Sequence, residues 1–158
     1  MFVGQYTHTL DEKNRLVLPS KFREFFRARE SDQAFFVTLK TTSDASFLQM
    51  FPPTAWEDRT KWVEEAARQT EDAEWLLRKF AWDAEYCRAD EQWRLILPPR
   101  LITAAGLARE VMIVGVVRWV EVWNAEAWRT ADQRLRQQAP ALEKSLYPGR
   151  KGAGPAHE

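Results

Sequence analysis

The sequence has few of the residues on which disulfide-rich or metal-stabilised folds depend. Its 158 residues include one cysteine, Cys87, and two histidines. A lone cysteine cannot form a disulfide within the chain, and one cysteine with two histidines cannot complete a tetrahedral zinc site within it. A disulfide scaffold and an intrachain zinc module are therefore excluded, and we expect no metal and no other cofactor.

Long apolar runs and an excess of one charge are also missing. No run approaches the roughly 20 apolar residues that cross a bilayer, and residues 1–13 lack the basic segment and apolar core of a signal peptide. We therefore expect a cytoplasmic protein without membrane contacts. Because 23 basic residues balance 23 acidic ones, any binding to nucleic acid must use a local basic patch.

Apolar residues are plentiful enough for a packed core. Hydrophobic residues make up 45% of the chain and charged residues make up 29%. This balance is typical of folded domains and not of disordered chains. The length is that of one ordinary domain or of two very small ones.

The most informative feature is an internal repeat. Residues 11–19 align without a gap on residues 90–98, and six of the nine positions are identical. Two apolar runs follow in each copy in the same order, at 35–39 and 47–51 and then at 111–115 and 119–123. A copy of about 45 residues would bury little by itself, so the tandem duplication predicts two halves around one core.

The repeat predicts the domain organisation. Each copy has the pattern of a hairpin, a short helix and a second hairpin, and a proline ends the strand before the helix because it lacks an amide donor. The predicted segments are repeat 1 (5–52), a helical connection (53–83), repeat 2 (84–127), a C-terminal helix (128–147) and a flexible tail (148–158).

Helix boundaries are predicted from capping residues. Thr54 begins a pattern typical of a capping box, and Thr70 is expected to begin a second helix within the connection. Asn124 is expected to cap the last helix, which should end near Gln138, before Pro140. Seven of the eight tryptophans, all except Trp93, are expected to pack mostly in the core, with some at subunit contacts.

An Asp-x-x-x-Arg loop occurs in both copies, at residues 11–15 and 90–94. Three-residue hairpins usually end in a residue with a left-handed backbone. Asn14 holds that place in the first loop and tolerates this backbone well. Trp93 holds it in the second loop and does not suit it, so we expect either a distorted turn or an exposed indole with another role.

The Asp and Arg of each loop would face each other across the predicted hairpin, where they could pair in a bidentate manner. Two interpretations remain open: a structural clasp, or an arginine that the aspartate orients toward phosphate or a guanine edge. From Arg15 to Arg29 there are five basic residues and one acidic residue, a run that is also typical of a solvated face. In the second copy the basic candidates are Arg94, Arg100 and Arg109.

These motifs resemble those of the bacterial MraZ family. The resemblance covers the chain to about Trp128 and rests on Met1-Phe2-Val3-Gly4, on Leu10-Asp11-x-Lys13-x-Arg15-x-x-x-Pro19-x-Lys21-Phe22-Arg23, on Asp90-x-x-x-Arg94-x-x-x-Pro98 and on 111–115. It implies an α+β fold in which two AbrB-like (SpoVT type) swapped-hairpin β-barrel halves form one pseudo-dimeric barrel, with linking helices between the repeats and a C-terminal helix. The family usually has glycine at the positions of Asn14 and Trp93.

The resemblance also implies a function. It implies a sequence-specific DNA-binding transcriptional regulator that represses the promoter of the division and cell-wall gene cluster, its own gene included. Its partner would be double-stranded promoter DNA on the nucleoid, bound at tandem short repeats by a ring-shaped homo-oligomer, and it would have no small-molecule substrate. With the family's Asp and Arg carried over and the neighbouring basic residues added, the predicted DNA-binding residues are Asp11, Lys13, Arg15, Lys21, Arg23, Asp90, Arg94 and Arg100.

Two other classes of protein fit the sequence less well. An enzyme is not expected, because neither His8 nor Cys87 lies in the sequence context of an activated nucleophile and no phosphate-binding glycine motif occurs. The alternative is an antitoxin-like module that combines an AbrB-type DNA-binding barrel with binding of a protein partner. Such chains tend to have one copy of the motif and a long disordered tail.

Overall fold

The structure is a computed structural model that describes residues 1–29 and 32–147. The described residues divide into two compact units, one formed by residues up to 125 and the other by residues 126–147. The flexible tail predicted at 148–158 lies outside the described residues. The fold class is α+β, as the sequence predicts.

The described residues form eight strands and five helices. In chain order they are β1 (Gln5–Thr9), β2 (Arg15–Val17), α1 (Ser20–Arg29), β3 (Ala34–Thr41), β4 (Ser46–Phe51), α2 (Pro53–Ala67), α3 (Glu71–Asp83), β5 (Glu85–Arg88), β6 (Arg94–Ile96), α4 (Pro99–Ala104), β7 (Glu110–Val116), β8 (Trp119–Asn124) and α5 (Ala125–Leu146). The apolar runs predicted as strands are confirmed as β3, β4, β7 and β8.

The two repeats exchange strands. Strands β1, β7, β8, β4, β3 and β5 form one antiparallel sheet in that order, and β2 and β6 form a separate two-stranded ladder. Thus β1 of the first repeat pairs with β7 of the second, and β5 of the second pairs with β3 of the first. The hairpin predicted around each Asp-x-x-x-Arg loop is wrong beyond the loop itself, because the two strands that flank the loop enter different ladders.

The repeats are related by a pseudo-two-fold axis. In the small ladder, Leu16 lies opposite Leu95, the residue at the same position of the other repeat. In the large sheet, Gln49 of β4 lies opposite Glu121 of β8, again the matching position. One buried cluster contains residues of both repeats. The predicted core shared by the two halves is therefore confirmed.

The small ladder is anchored by leucines. Leu16, Leu18, Leu95 and Leu97 are fully buried, and burial of such a side chain contributes about 1.5–3 kcal/mol to folding. Because successive residues of a strand point to opposite faces, the residues between these leucines point away from the core. The ladder thus has a buried face and an outward face of defined composition.

The start of α2 differs from the predicted capping box. The helix begins at Pro53, and its N-cap residue is Pro52, which makes no side-chain capping bond. Thr54 therefore lies inside the first turn. Proline suits this place because its ring fixes a helical φ and the missing amide would have no partner there. The second predicted start is confirmed, since the hydroxyl of Thr70 accepts a hydrogen bond from the Ala73 amide at 3.1 Å.

Helix α5 passes through Pro140 and does not end near Gln138 as predicted. A proline removes one backbone hydrogen bond and bends a helix, but it does not have to end one. Leu135 and Leu142 keep a spacing of two helical turns across the proline.

Among the described residues, no helix combines the length and apolarity that crossing a membrane requires.

The expectation that most tryptophans lie in the core is wrong. Trp93 and Trp123 are buried. Three others project into solvent from α2 and α3: Trp62, Trp75 and Trp82, which are 64%, 55% and 61% exposed.

Candidate nucleic-acid interface

The Asp-x-x-x-Arg loops of the two repeats have the same backbone. Asn14 has a φ of 58° and Trp93 has a φ of 59°, both in the left-handed region. The Asn14 amide donates to the Asp11 carbonyl at 3.0 Å, and the Trp93 amide donates to the Asp90 carbonyl at 2.9 Å. The left-handed residue predicted at the end of the first loop is confirmed, and the second loop matches it.

Trp93 neither distorts its turn nor exposes its indole, so both expectations for it are wrong. It is 5% exposed, and its ring centroid lies 5.8 Å from that of Phe26. Its carbonyl accepts a hydrogen bond from the Leu18 amide, and the Asn14 carbonyl accepts one from the Leu97 amide, both at 2.9 Å. Core packing and the bond to the other repeat offset the cost of a left-handed backbone, about 1–2 kcal/mol.

In each loop the aspartate holds the backbone and a guanidinium together. One oxygen of Asp11 accepts from the amides of Lys13 and Arg15, both at 2.9 Å. Its other oxygen accepts from Nε of Arg15 at 2.5 Å. Asp90 makes the same three bonds to its own loop, at 2.9, 3.0 and 2.7 Å, with Arg94 as the guanidinium.

The predicted bidentate pairing is wrong, because one oxygen of each carboxylate is occupied by backbone amides. Of the guanidinium nitrogens of each arginine, only Nε bonds to the aspartate. Among the described residues, the terminal nitrogens of Arg15 and Arg94 make no hydrogen bond. The side chains are 29% and 33% exposed. One set of contacts therefore both fastens the loop and leaves two oriented donor groups available to a ligand.

The same hydrogen bonds lower the pKa of both aspartates. For Asp11 the largest cause is the Arg15 amide that donates to the carboxylate; the Arg15 guanidinium and the Lys13 amide lower the pKa further, and desolvation opposes them. The pKa of Asp90 is lowered by the equivalent contacts, led by the amide of Arg94. Both carboxylates are ionised at neutral pH, which keeps the two arginines oriented.

Strands β2 and β6 carry both arginines on one outward face. Arg15 lies opposite Ile96, and Arg94 lies opposite Val17. The leucines between them are fully buried, so strand alternation turns these four side chains outward. Val17 is 37% exposed and Ile96 is 63% exposed. We call Arg15, Val17, Arg94 and Ile96 the ladder face.

Arg109 lies beside the first loop, although it belongs to the second repeat. Its carbonyl accepts a hydrogen bond from the Leu10 amide at 2.8 Å. Its side chain and those of the first loop line one surface cavity of about 260 Å³. Beside the second loop, the equivalent bond runs from the Ala89 amide to the carbonyl of Gln33, at 2.7 Å. Strand exchange thus gives the first loop an additional cation and the second loop a neutral residue.

The other predicted DNA-binding residues differ in how far they are engaged. Lys13 and Lys21 are exposed. Arg23 donates from Nε to the carbonyl that follows β2, at 3.0 Å. Arg100 donates to the carboxylate of Glu85 through two nitrogens, at 3.1 and 2.9 Å. The structure therefore joins Asp11, Arg15, Asp90 and Arg94 in one surface, while Arg100 is already paired.

Sequence reasoning missed two residues of this surface, Val17 and Ile96, and it named Arg109 only as a basic candidate of the second copy. Val17 and Ile96 could have been identified from strand alternation, since each is two residues after a loop arginine and follows a buried leucine. The position of Arg109 beside the first loop had no local signal. It depends on which repeat each edge strand joins, and that pairing is set by the tertiary fold.

Comparison with known proteins gives matches over both halves of the chain. Residues 1–79 and 80–145 match the family model described as "MraZ protein, putative antitoxin-like". A relative from Thermomicrobium roseum is 32% identical over 146 residues, which make up 92% of this chain and 97% of that protein. A relative from Carboxydothermus hydrogenoformans is 37% identical over 128 residues, or 81% of this chain and 84% of that protein. Both relatives carry the name transcriptional regulator MraZ.

Proposed function

Because the chain belongs to the MraZ family, we propose that it is a sequence-specific DNA-binding transcriptional regulator. The resemblance found in the sequence is confirmed by the two matched halves and by relatives that cover most of the chain. We further propose that it represses the promoter of a division and cell-wall gene cluster that includes its own gene. In this role it acts in the cytoplasm, on the nucleoid, without a small-molecule substrate.

We propose that the two repeats form AbrB-like swapped-hairpin halves of one pseudo-dimeric barrel. The exchange of β1 and β5 between the repeats supports this arrangement. The shared buried cluster supports it as well, because it includes Leu16 and Leu95 from the ladder and Val37 and Ile113 from the six-stranded sheet. Such a barrel would hold the two loops at a fixed separation.

The observation that carries the DNA-binding proposal is the ladder face. A two-stranded ribbon fits the major groove of B-DNA, and arginine to the O6 and N7 atoms of guanine is the commonest specific contact there. Arg15 and Arg94 point outward from such a ribbon with their terminal nitrogens available. Because aspartate already fixes Nε of each, less side-chain freedom is lost on binding.

Lysines next to this surface suit a different task. Lys13 follows Asp11 in the first loop, and Lys21 lies at the start of α1; both are exposed. Contacts from such side chains to phosphate position a protein on DNA without specifying sequence. We therefore propose that the two arginines read bases and that the lysines set the register.

The contacts of one chain are too few for strong specific binding. One bidentate contact to a base supplies about 1–3 kcal/mol of discrimination. A closed homo-oligomer that meets tandem operator repeats would raise the apparent affinity by about 10²–10⁴ when the spacing fits. We propose a ring-shaped homo-oligomer for this reason, and the exposed Trp62, Trp75 and Trp82 support it because tryptophan is enriched at subunit contacts.

DNA binding is tested with the DNA immediately upstream of the gene. Arg15→Ala and Arg94→Ala should each weaken binding by about 5- to 100-fold without lowering the melting temperature, since exposed ion pairs contribute little to stability. The matched control is Arg136→Ala, because Nε of Arg136 makes the same kind of bond to an aspartate four residues away, Asp132, at 3.0 Å on α5, outside the ladder face. Wild-type binding by Arg15→Ala, or an equal loss in the control, would contradict the proposal.

Assembly is tested separately. A variant with Trp62, Trp75 and Trp82 changed to glutamate should form a smaller species by light scattering and should bind tandem sites more weakly than wild type, with unchanged binding to one isolated site. A monomer that binds the promoter as tightly as wild type would rule out avidity as the source of affinity.

The antitoxin-like alternative is kept because the matched family model carries that description. Under this alternative, the chain would form a stoichiometric complex with a second protein. Co-purification of such a partner from its native cells, with loss of DNA binding on its removal, would favour this function over a regulator that acts by itself.

A further inference from the structure

We propose that Val17 and Ile96 read thymine methyl groups in the major groove, and so determine specificity together with the two arginines. This inference rests on the proposed DNA-binding function and assigns a task to the apolar half of the ladder face. Exposed apolar residues are common one at a time. Here two of them occupy equivalent positions of the two repeats, and each lies directly opposite a loop arginine.

The ladder has the dimensions for such contacts. Residues two apart on one face of a strand are separated by about 6.6–6.8 Å, which is close to two base-pair steps of about 3.4 Å each. Residues directly opposite across an antiparallel pair have Cβ atoms about 4.5–5.5 Å apart. If Arg15 meets a guanine, Val17 lies about two steps along the groove and Ile96 lies beside Arg15.

The chemistry of the groove selects the partner of these side chains. The floor of the major groove presents hydrogen-bond donors and acceptors at every base pair, and its apolar feature is the C5-methyl group of thymine. A valine or isoleucine held against other base edges would desolvate them without a compensating hydrogen bond. Thymine at the positions nearest Val17 and Ile96 is therefore the favourable target.

The charges around the face favour DNA over a second copy of the chain as its occupant. Arg15 and Arg94 lie on the face itself, Lys13 lies in the first loop, and Arg109 lies beside that loop. Contact between two such faces would bring these cations together, whereas the phosphates that border the major groove attract them.

The test removes only the methyl groups. The upstream DNA is amplified with dUTP in place of dTTP, so that every thymine in the copied region becomes uracil and all hydrogen-bonding edges are kept. Wild-type protein should bind the uracil DNA at least about fourfold more weakly, the loss expected for one methyl group that is no longer buried. The double variant Val17→Ala/Ile96→Ala should bind thymine DNA more weakly and should show no further loss on uracil DNA.

Val3→Ala is the matched control, because Val3 is an apolar residue 59% exposed outside the ladder; it should discriminate thymine from uracil as wild type does. Equal binding of both DNAs by wild type would overturn the inference. A double variant that still binds thymine DNA more tightly than uracil DNA would also overturn it. A double variant whose assembly mass differs from that of wild type would do the same, since a second copy of the chain would then cover the face. If Arg15→Ala loses binding while uracil has no effect, this inference fails and the proposed function stands; if wild type binds neither DNA, the proposed function itself fails.

Discussion

The two Asp-x-x-x-Arg loops share one backbone but differ in charge. At the first loop, Lys13, Arg15 and Arg109 outnumber the carboxylates of Asp11 and Glu12. At the second loop, Gln92 replaces the lysine and Gln33 replaces Arg109, so Arg94 stands against two carboxylates, those of Asp90 and Glu91. The two loops therefore have the same geometry but opposite local net charge, positive at the first loop and negative at the second.

This difference shows that the shape of the loops and their attraction to DNA depend on different groups. Loop shape depends on the left-handed backbone at Asn14 and Trp93, on the amides that bind the aspartate and on the buried leucines beneath, and these features agree between the repeats. Attraction to DNA depends on exposed cations, and replacing these changes the stability of the fold little. We expect the first loop to supply most of the phosphate contacts, and the second loop to contribute chiefly through Arg94.

The largest effect should come from changing what the loops share. Leu16→Asp and Leu95→Asp should each destabilise the fold by roughly 4 kcal/mol or more, because an unpaired charge would enter the core. The two losses should be similar, since the leucines face each other and both are fully buried. Urea unfolding measures this. Val17→Asp, on the outward face, should cost less than about 1 kcal/mol; an equally large loss there would contradict the assignment of faces.

A smaller effect separates the two left-handed residues. Trp93→Gly should destabilise by about 1–4 kcal/mol, because the loss of buried packing, about 3–5 kcal/mol, exceeds the relief of backbone strain, about 1–2 kcal/mol. Asn14→Gly should change stability by less than about 1 kcal/mol, since Asn14 is not part of the buried core. Denaturant unfolding of both variants tests this. If Trp93→Gly were neutral, the indole would not be a core residue.

Much of the fold and of the candidate site could be predicted from the sequence, and what could not be predicted has a physical cause. The duplication, the four strands β3, β4, β7 and β8 and the left-handed Asn14 follow from local patterns, which depend on side-chain period and turn chemistry. The strand exchange does not, because β1 can satisfy its hydrogen bonds equally well with either repeat, and only packing of the whole core decides between them. The position of Arg109 depends on that choice.

Trp93 illustrates the other limit. Its poor propensity for a left-handed backbone is a local cost of about 1–2 kcal/mol, and it predicted a distorted turn. A large aromatic ring gains more than this when it is buried, here near Phe26. The local rule failed because the tertiary contribution was larger. No local pattern indicated that the indole would point inward.

Charge can be exchanged between the loops without changing their shape. Lys13→Gln should reduce the slope of log K against log salt by about 1, and Gln92→Lys should increase it by about 1, if each exposed lysine contacts one phosphate. Binding to upstream DNA across a salt series measures both slopes. Lys40→Gln, an exposed lysine on β3, is the matched control and should leave the slope unchanged. Identical slopes for all four proteins would show that neither loop contacts phosphate through these positions.

The smallest effects should appear at the edge strands, where the repeats carry different titratable groups at one position. Burial, and secondly Arg23, lowers the pKa of His8 on β1. Burial, and secondly Glu85, raises the pKa of Cys87 on β5 to about 11. Both shifts favour the neutral form, but they act at opposite ends of the pH range.

In the unfolded chain His8 gains a proton near pH 6.5, and the folded chain resists this, so stability should fall as the pH drops from about 7 to 5. The unfolded chain loses the Cys87 proton near pH 8.5 while the folded chain retains it, so stability should fall again above about pH 9. Urea unfolding from pH 5 to 10 measures both changes. His8→Gln should flatten only the acid side and Cys87→Ala only the alkaline side, because each removes one titrating group; a slope that survives its own substitution would place the responsible group elsewhere.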